Sequence, residues 1–117
     1  MRPDEIERME QVLAGRAVVA KRFRDKALVK WATEQGLFLR IGRGTKWANP
    51  FVKDEDGTRD EVCDWFAQEY LPRKRGLLKR IDAGELCGKV LECWCHPLRC
   101  HGHHLAELAN ARGEVEA

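Results

Sequence analysis

The sequence predicts an α/β fold: a small Rossmann-like domain with a short, mostly parallel sheet and flanking helices. Three observations predict it. Apolar runs of strand length at Ala17–Arg22, Leu37–Ile41 and Lys89–Cys93 alternate with stretches of helical periodicity. The last two runs each pass into a loop dense in chemically active residues, and in an open α/β sheet ligands gather beyond the carboxyl ends of strands. The chain has 117 residues and is 44% hydrophobic, enough for one core and one domain.

Residues 3–14 read as a helix. Pro3 suits the first turn, Asp4 and Glu5 suit its positive end, and Ile6, Met9, Val12 and Leu13 share a face. Gly15 is a C′ stop. Residues 1–15 are thus expected as an N-terminal helical extension, 16–110 as a single α/β domain and 111–117 as a flexible tail. The first strand follows the extension, and Asp25–Glu34 reads as a short helix closed by Gly36. After the second strand, Asp56-Gly57 forms a turn, and Thr58 with Glu61 makes a capping box for a helix. On that helix Val62, Trp65, Phe66 and Tyr70 form a core stripe that Pro72 ends. Arg73–Ile81 reads as a basic amphipathic helix with Leu77, Leu78 and Ile81 inward. No internal repeat is found.

Charge is unevenly spread although the formal net charge is only +2. From Arg16 to Lys53 ten Lys/Arg face two Asp/Glu, and from Asp54 to Leu71 seven acids face one arginine. The basic part suits an anionic partner, or the two regions neutralise each other across the fold. No apolar run approaches a membrane span, and the charged N-terminus lacks the apolar core of a signal peptide. Five cysteines, an odd number, fit a reducing, cytoplasmic setting.

Two stretches carry the chemistry. In Gly42-Arg43-Gly44-Thr45-Lys46-Trp47-Ala48-Asn49-Pro50-Phe51, the glycines allow close backbone approach to a ligand. Arg43 and Lys46 offer charge, Thr45 and Asn49 hydrogen bonds, and Trp47 a ring for a base. The expected ligand-binding residues are Gly42, Arg43, Gly44, Lys46, Trp47 and Asn49. The second stretch, Val90–Asn110, holds three of the five cysteines and all four histidines. Cys93 and Cys95 share a strand face, and Trp94 then points the other way, into a core. Cys100 and His101 fall at a helix N-terminus, which lowers a thiol pKa. Cys93, Cys95, Cys100 and His101 make a Cys3His set for Zn2+. Cys100 with His101 equally makes a nucleophile beside a base, and a purely structural cluster is the third reading. Cys63 and Cys87 read as small buried residues.

Together, I-G-R-G-T-K-W-A-N-P-F and L-E-C-W-C-H-P-L-R-C-H-G, with D-G-T-R-D-E between them, resemble the domain-of-unknown-function family numbered 4326. The resemblance spans about Ala17 to Asn110, with Ala48 standing where the family usually has glycine. It implies a compact α/β domain frequently encoded by bacteriophages. Gly42, Arg43, Gly44, Trp47, Asn49, Pro50 and Phe51 match one family motif, and Cys93, Trp94, Cys95, Pro97, Cys100, His101 and Gly102 match the other. Two functions follow as expectations. One is an enzyme, or degenerate enzyme, acting on a nucleotide, nucleoside or nucleic-acid end, with Glu92 or Asp56 as its carboxylate. The other is a non-enzymatic module with structural zinc that engages nucleic acid or a host protein.

Overall fold

The structure, a computed structural model, describes the backbone of residues 1–116 and the side chains of residues 1–112. Three parallel strands, β1 (Val18–Lys21), β2 (Phe38–Arg40) and β3 (Val90–Cys93), form one sheet in the order β1-β3-β2. The α/β class with a small parallel sheet is therefore the observed one. The last strand in sequence is the central strand in space, and all four of its residues are buried. A parallel strand covered on both faces reads as a continuous apolar run, which is why Val90-Leu91 was visible in the sequence.

The register sets the two faces. Val18 pairs with Val90 and Val19 with Leu91, while Phe38 pairs with Val90 and Arg40 with Glu92. Val18, Ala20 and Val90 pack with Leu28 and Ala32 of α2 (Lys26–Glu34) and Val12 of α1 (Pro3–Leu13). On the other face Val19, Leu91 and Cys93 pack with Phe66, Leu71, Ile81 and Leu105. These come from α3 (Arg59–Trp65) and its continuation, from α4 (Arg75–Asp82) and from α5 (His101–Glu116). The capping box forms as expected: the Glu61 amide donates to Thr58 Oγ1 at 3.2 Å and the Thr58 amide to Glu61 Oε1 at 3.0 Å. Past Trp65 the helix widens into a π-turn at Phe66–Tyr70, then tightens to a 3-10 turn at Leu71–Arg73 that contains Pro72.

The chain leaves β1 for α2 on one face and leaves its neighbour β3 for α5 on the other. The carboxyl ends of β1 and β3 thus flank a topological switch point, where open α/β sheets take ligands.

Helix α1 is tied into the domain by polar groups as well as by Val12. Glu5, 3% exposed, accepts from the Leu28 amide, and Arg2 and Arg8 both reach the fully buried Asp25 carboxylate. Of the face expected to be apolar, Val12 is buried and Met9 packs against its cluster, whereas Ile6 and Leu13 are 40% and 68% exposed. Satisfying Asp25 rotates the helix so that Glu5, Arg8 and Val12 point inward. Gly15 is the C′ residue at φ +90°, a conformation that a Cβ disfavours. The expected tail, 111–117, lies at the limit of the described residues: the backbone is helical through Glu116, and Ala117 lies outside them.

Candidate functional site

The loop after β2 turns at Gly42 and Gly44, the latter at φ +84°, where glycine carries no Cβ penalty. Thr45 Oγ1 donates back to the Gly42 carbonyl at 2.8 Å. The loop then folds inward. Trp47 is 1% exposed and belongs to the main core, with its indole N–H buried and unpartnered, so it is not placed to stack on a base. Lys46 pairs with Glu85 at 3.5 Å, and Asn49 ties the loop to α3 by donating to the Val62 carbonyl at 3.0 Å. Asn49 Oδ1 in turn accepts from the Phe51 amide. Arg43 is exposed, with no ion-pair partner among the described residues.

The segment after β3 does not continue as strand. Alternation therefore stops at Cys93, and Trp94 turns outward instead of into the core, 57% exposed against Phe23. Cys93 and Cys100 are both buried and free. Cys93 Sγ accepts from the Cys95 amide at 3.1 Å and the His96 amide at 3.3 Å. The Cys100 thiol also donates to it. Chiefly through that bond, the Cys93 pKa falls to about 6. The same hydrogen bond, with burial second, pushes the Cys100 thiol far up. The low-pKa sulfur is thus Cys93, not Cys100 at the helix start. A direct donor hydrogen bond outweighs the partial charge of a helix terminus.

His101 does not face the thiols. Its Nε2 lies 2.9 Å from the Ile41 carbonyl, a further hydrogen bond reaches the backbone of Trp47, and its ring packs edge-on against Phe66. It staples α5 to the β2 loop. The four side chains expected to hold zinc are therefore not gathered, and among the described residues no three His, Cys, Asp or Glu are arranged to hold a metal ion. A different histidine sits beside the cysteines. His103 Nδ1 accepts from the Cys100 amide at 3.1 Å, so its proton is on Nε2, which lies 3.1 Å from His96 Nδ1. Burial is the largest effect on each of the four histidines and lowers its pKa.

The two loops line one cavity of about 190 Å³ beyond the sheet's carboxyl edge. Arg43 and Asn49 come from the first motif, and Cys95, Cys100 and His101 from the second. Gly42, Gly44, Lys46 and Trp47 shape or anchor the loop without lining it, and Cys93 lies beneath. Lys53, Arg59 and Arg99 complete a cationic rim over an apolar wall of Phe51 and Val62. Arg99 is held by Asp64 at 2.7 Å and Asp60 at 3.1 Å, while Arg59 donates to the Arg99 carbonyl. These three cations escaped the sequence reading, although Arg99 stands inside the second motif, next to Cys100. Of the two candidate carboxylates, Asp56 accepts from the Val52 amide, and Glu92 is buried between Arg22 and Arg40. Cys63, on the wall, is buried with its pKa raised by that burial.

A family profile for a domain of unknown function, DUF4326, matches residues 24–111. An uncharacterised 12.4 kDa protein from the nrdA-td intergenic region of Enterobacteria phage T4 is 33% identical over 73 residues, covering 62% of this chain and 67% of that protein. No solved structure matches.

Proposed function

The chain belongs to the DUF4326 family, and from that premise and the geometry of the site we propose that it binds the phosphate-bearing part of a nucleotide, nucleoside phosphate or nucleic-acid end in the cavity between its two motifs. The observation that carries the reading is the shared cavity: Arg43 from one motif and Cys95 and Cys100 from the other line the same space, with Lys53, Arg59 and Arg99 around it. Arginine suits a phosphate because its planar fork makes paired, charge-assisted hydrogen bonds. Arg99 is already oriented by two carboxylates, and Arg43 is left to meet a ligand. The cavity is below the roughly 300–1,000 Å³ of pockets for drug-sized ligands, which suits one phosphate with its sugar.

The thiols support a binding role over thiol catalysis. Of the sulfurs that line the cavity, Cys100 is a protonated donor and Cys63 is buried with its pKa raised, and the thiolate-prone Cys93 is 4% exposed beneath them. His101, committed to backbone carbonyls, serves as neither base nor metal ligand in this arrangement.

The test is a thermal melt with nucleoside monophosphates and inorganic phosphate. A ligand at a hundred times its Kd stabilises by about 2.7 kcal/mol. Arg43→Ala and Arg59→Ala should each abolish most of that shift. No shift with any of these ligands overturns the reading. The same melts, repeated with chelator, test the zinc that the sequence led one to expect. One metal ion per chain, with a melting temperature that drops sharply in chelator, would move Cys93, Cys95 and Cys100 to metal holding, worth roughly 10–16 kcal/mol in small zinc domains.

A further inference from the structure

The cavity lies between the loops after β2 and β3, and it leaves unused the neighbouring switch point between β1 and β3. There two of the exposed large hydrophobic residues meet. Phe23, 64% exposed, follows β1, and Trp94, 57% exposed, follows β3, with ring centroids 5.9 Å apart and planes tilted by 49°. Trp94 also lies over the β2 loop, its Nε1 3.7 Å from where a Cβ of Gly42 would stand. Two large aromatic side chains left in water on adjacent loops are a feature that packing does not require.

The charge around them is mainly positive, although exposed Asp4 lies 3.7 Å from Arg24. Glu92, 1% exposed, lies under Arg22 at 2.6 Å and Arg40 at 3.4 Å, whose side chains are 41% and 58% exposed. Asp25, fully buried, lies under Arg24 at 3.1 Å, whose side chain is 40% exposed. Both carboxylates are beneath the surface, and the guanidiniums they orient face solvent. Arg22 borders Phe23, and Arg40 precedes the Gly42 turn that meets Trp94. The edge therefore presents aromatic faces within a cationic rim, although the chain as a whole is close to neutral.

We propose that Phe23 and Trp94 form a stacking platform for the bases of single-stranded nucleic acid, whose backbone runs across Arg22, Arg40 and Arg43. Exposed rings beside a positively charged track are the recurring means of holding single strands, because every base offers a π-face. The tilt splays the two rings instead of stacking them on each other, so each keeps a face for a base. A double helix, with its bases already stacked inside, cannot use such a platform. The inference rests on the phosphate-binding reading only in that Arg43 borders both surfaces.

The experiment is fluorescence anisotropy with a labelled oligothymidylate of about ten nucleotides, within the usual range of site sizes. Trp94→Ala and Phe23→Ala should each weaken binding by roughly 5- to 150-fold. Trp94→Phe should recover most of the loss. Arg40→Gln, outside the cavity, should reduce the slope of log affinity against log salt by about 0.7. Both rings are mostly exposed, so these variants should melt with the wild type. Oligonucleotide affinity that is absent, or indifferent to both aromatic variants, overturns the platform. So does a change from dimer to monomer on sedimentation of Trp94→Ala without oligonucleotide binding, which would make the patch a self-association surface. Thymidine monophosphate, tested in parallel, separates the two sites. Arg59-dependent binding of the mononucleotide without aromatic-dependent binding of the strand keeps the cavity and sinks the platform; the converse keeps the platform and sinks the cavity.

Discussion

Lowering the pH from 7.5 to 5.5 should destabilise this protein through its four histidines and Cys93. Burial holds the pKa of His96, His101, His103 and His104 below the usual imidazole value in the folded chain. The unfolded chain then binds more protons over this range, and stability must fall as pH falls. The histidines' contribution is fully present above about pH 6.5 and is lost progressively below it, down to the folded pKa values. A histidine that stays neutral when folded and titrates at about 6.5 when unfolded loses at most ~1.4 kcal/mol across this interval. His101, the most enclosed, should contribute the largest share of the four, and the half-buried three less each. The four act in the same direction, and Cys93, held at about 6 in the folded chain, loses stability over the same interval with the same sign. Urea titrations at half-unit steps of pH measure it as a falling midpoint with constant slope. His101→Asn should flatten the pH dependence by up to ~1.4 kcal/mol per pH unit. A stability that is level or rising from pH 7.5 to 5.5 refutes the reasoning.

Other perturbations have equally direct readouts. Asp25→Asn removes the charge shared by Arg2, Arg8 and Arg24 and should cost roughly 3–5 kcal/mol in urea unfolding; a loss under about 1 kcal/mol would show that the network is dispensable. Asn110→Ala leaves both the N–H and the C=O of buried Ala17 without the bonds they make at 2.8 and 3.0 Å. It should cost at least about 1–3 kcal/mol, and a neutral outcome would mean that water replaces the amide. Under iodoacetamide at neutral pH, half-buried Cys95 should be alkylated well before Cys100, as read by peptide mass spectrometry. Cys100 reacting first would restore it as the activated thiol.

Much of the fold was legible in the sequence because its signals are local. The three strands lie within a residue of the apolar runs that marked them, and Thr58 and Glu61 cap the helix their spacing called for. What escaped depends on partners far along the chain. Strand alternation was carried two residues past the end of β3, to Cys95, so Trp94 was aimed inward when it faces solvent. Trp47 follows two glycines in a charged loop, and nothing local tells that the loop folds its indole into the core. His101 stands next to Cys100 in sequence, yet its ring is claimed by the carbonyl of Ile41. Glu5 and Asp25 look like ordinary surface acids until Arg2, Arg8 and the Leu28 amide are brought to them. The two loops that meet at the cavity were thus legible in advance, whereas the cations Lys53, Arg59 and Arg99 and the division between lining and anchoring residues were not.

A titration of isotope-labelled protein with thymidine monophosphate, followed by amide chemical shifts, tests the central claim most directly. The two motifs are about fifty residues apart in sequence but line one cavity. If that cavity holds the phosphate, amides of the Gly42–Phe51 loop and of the Cys95–His101 segment move together, saturate at one Kd, and stay still in Arg43→Ala. Shifts confined to one motif, shifts elsewhere on the domain, or none at millimolar nucleotide would contradict it.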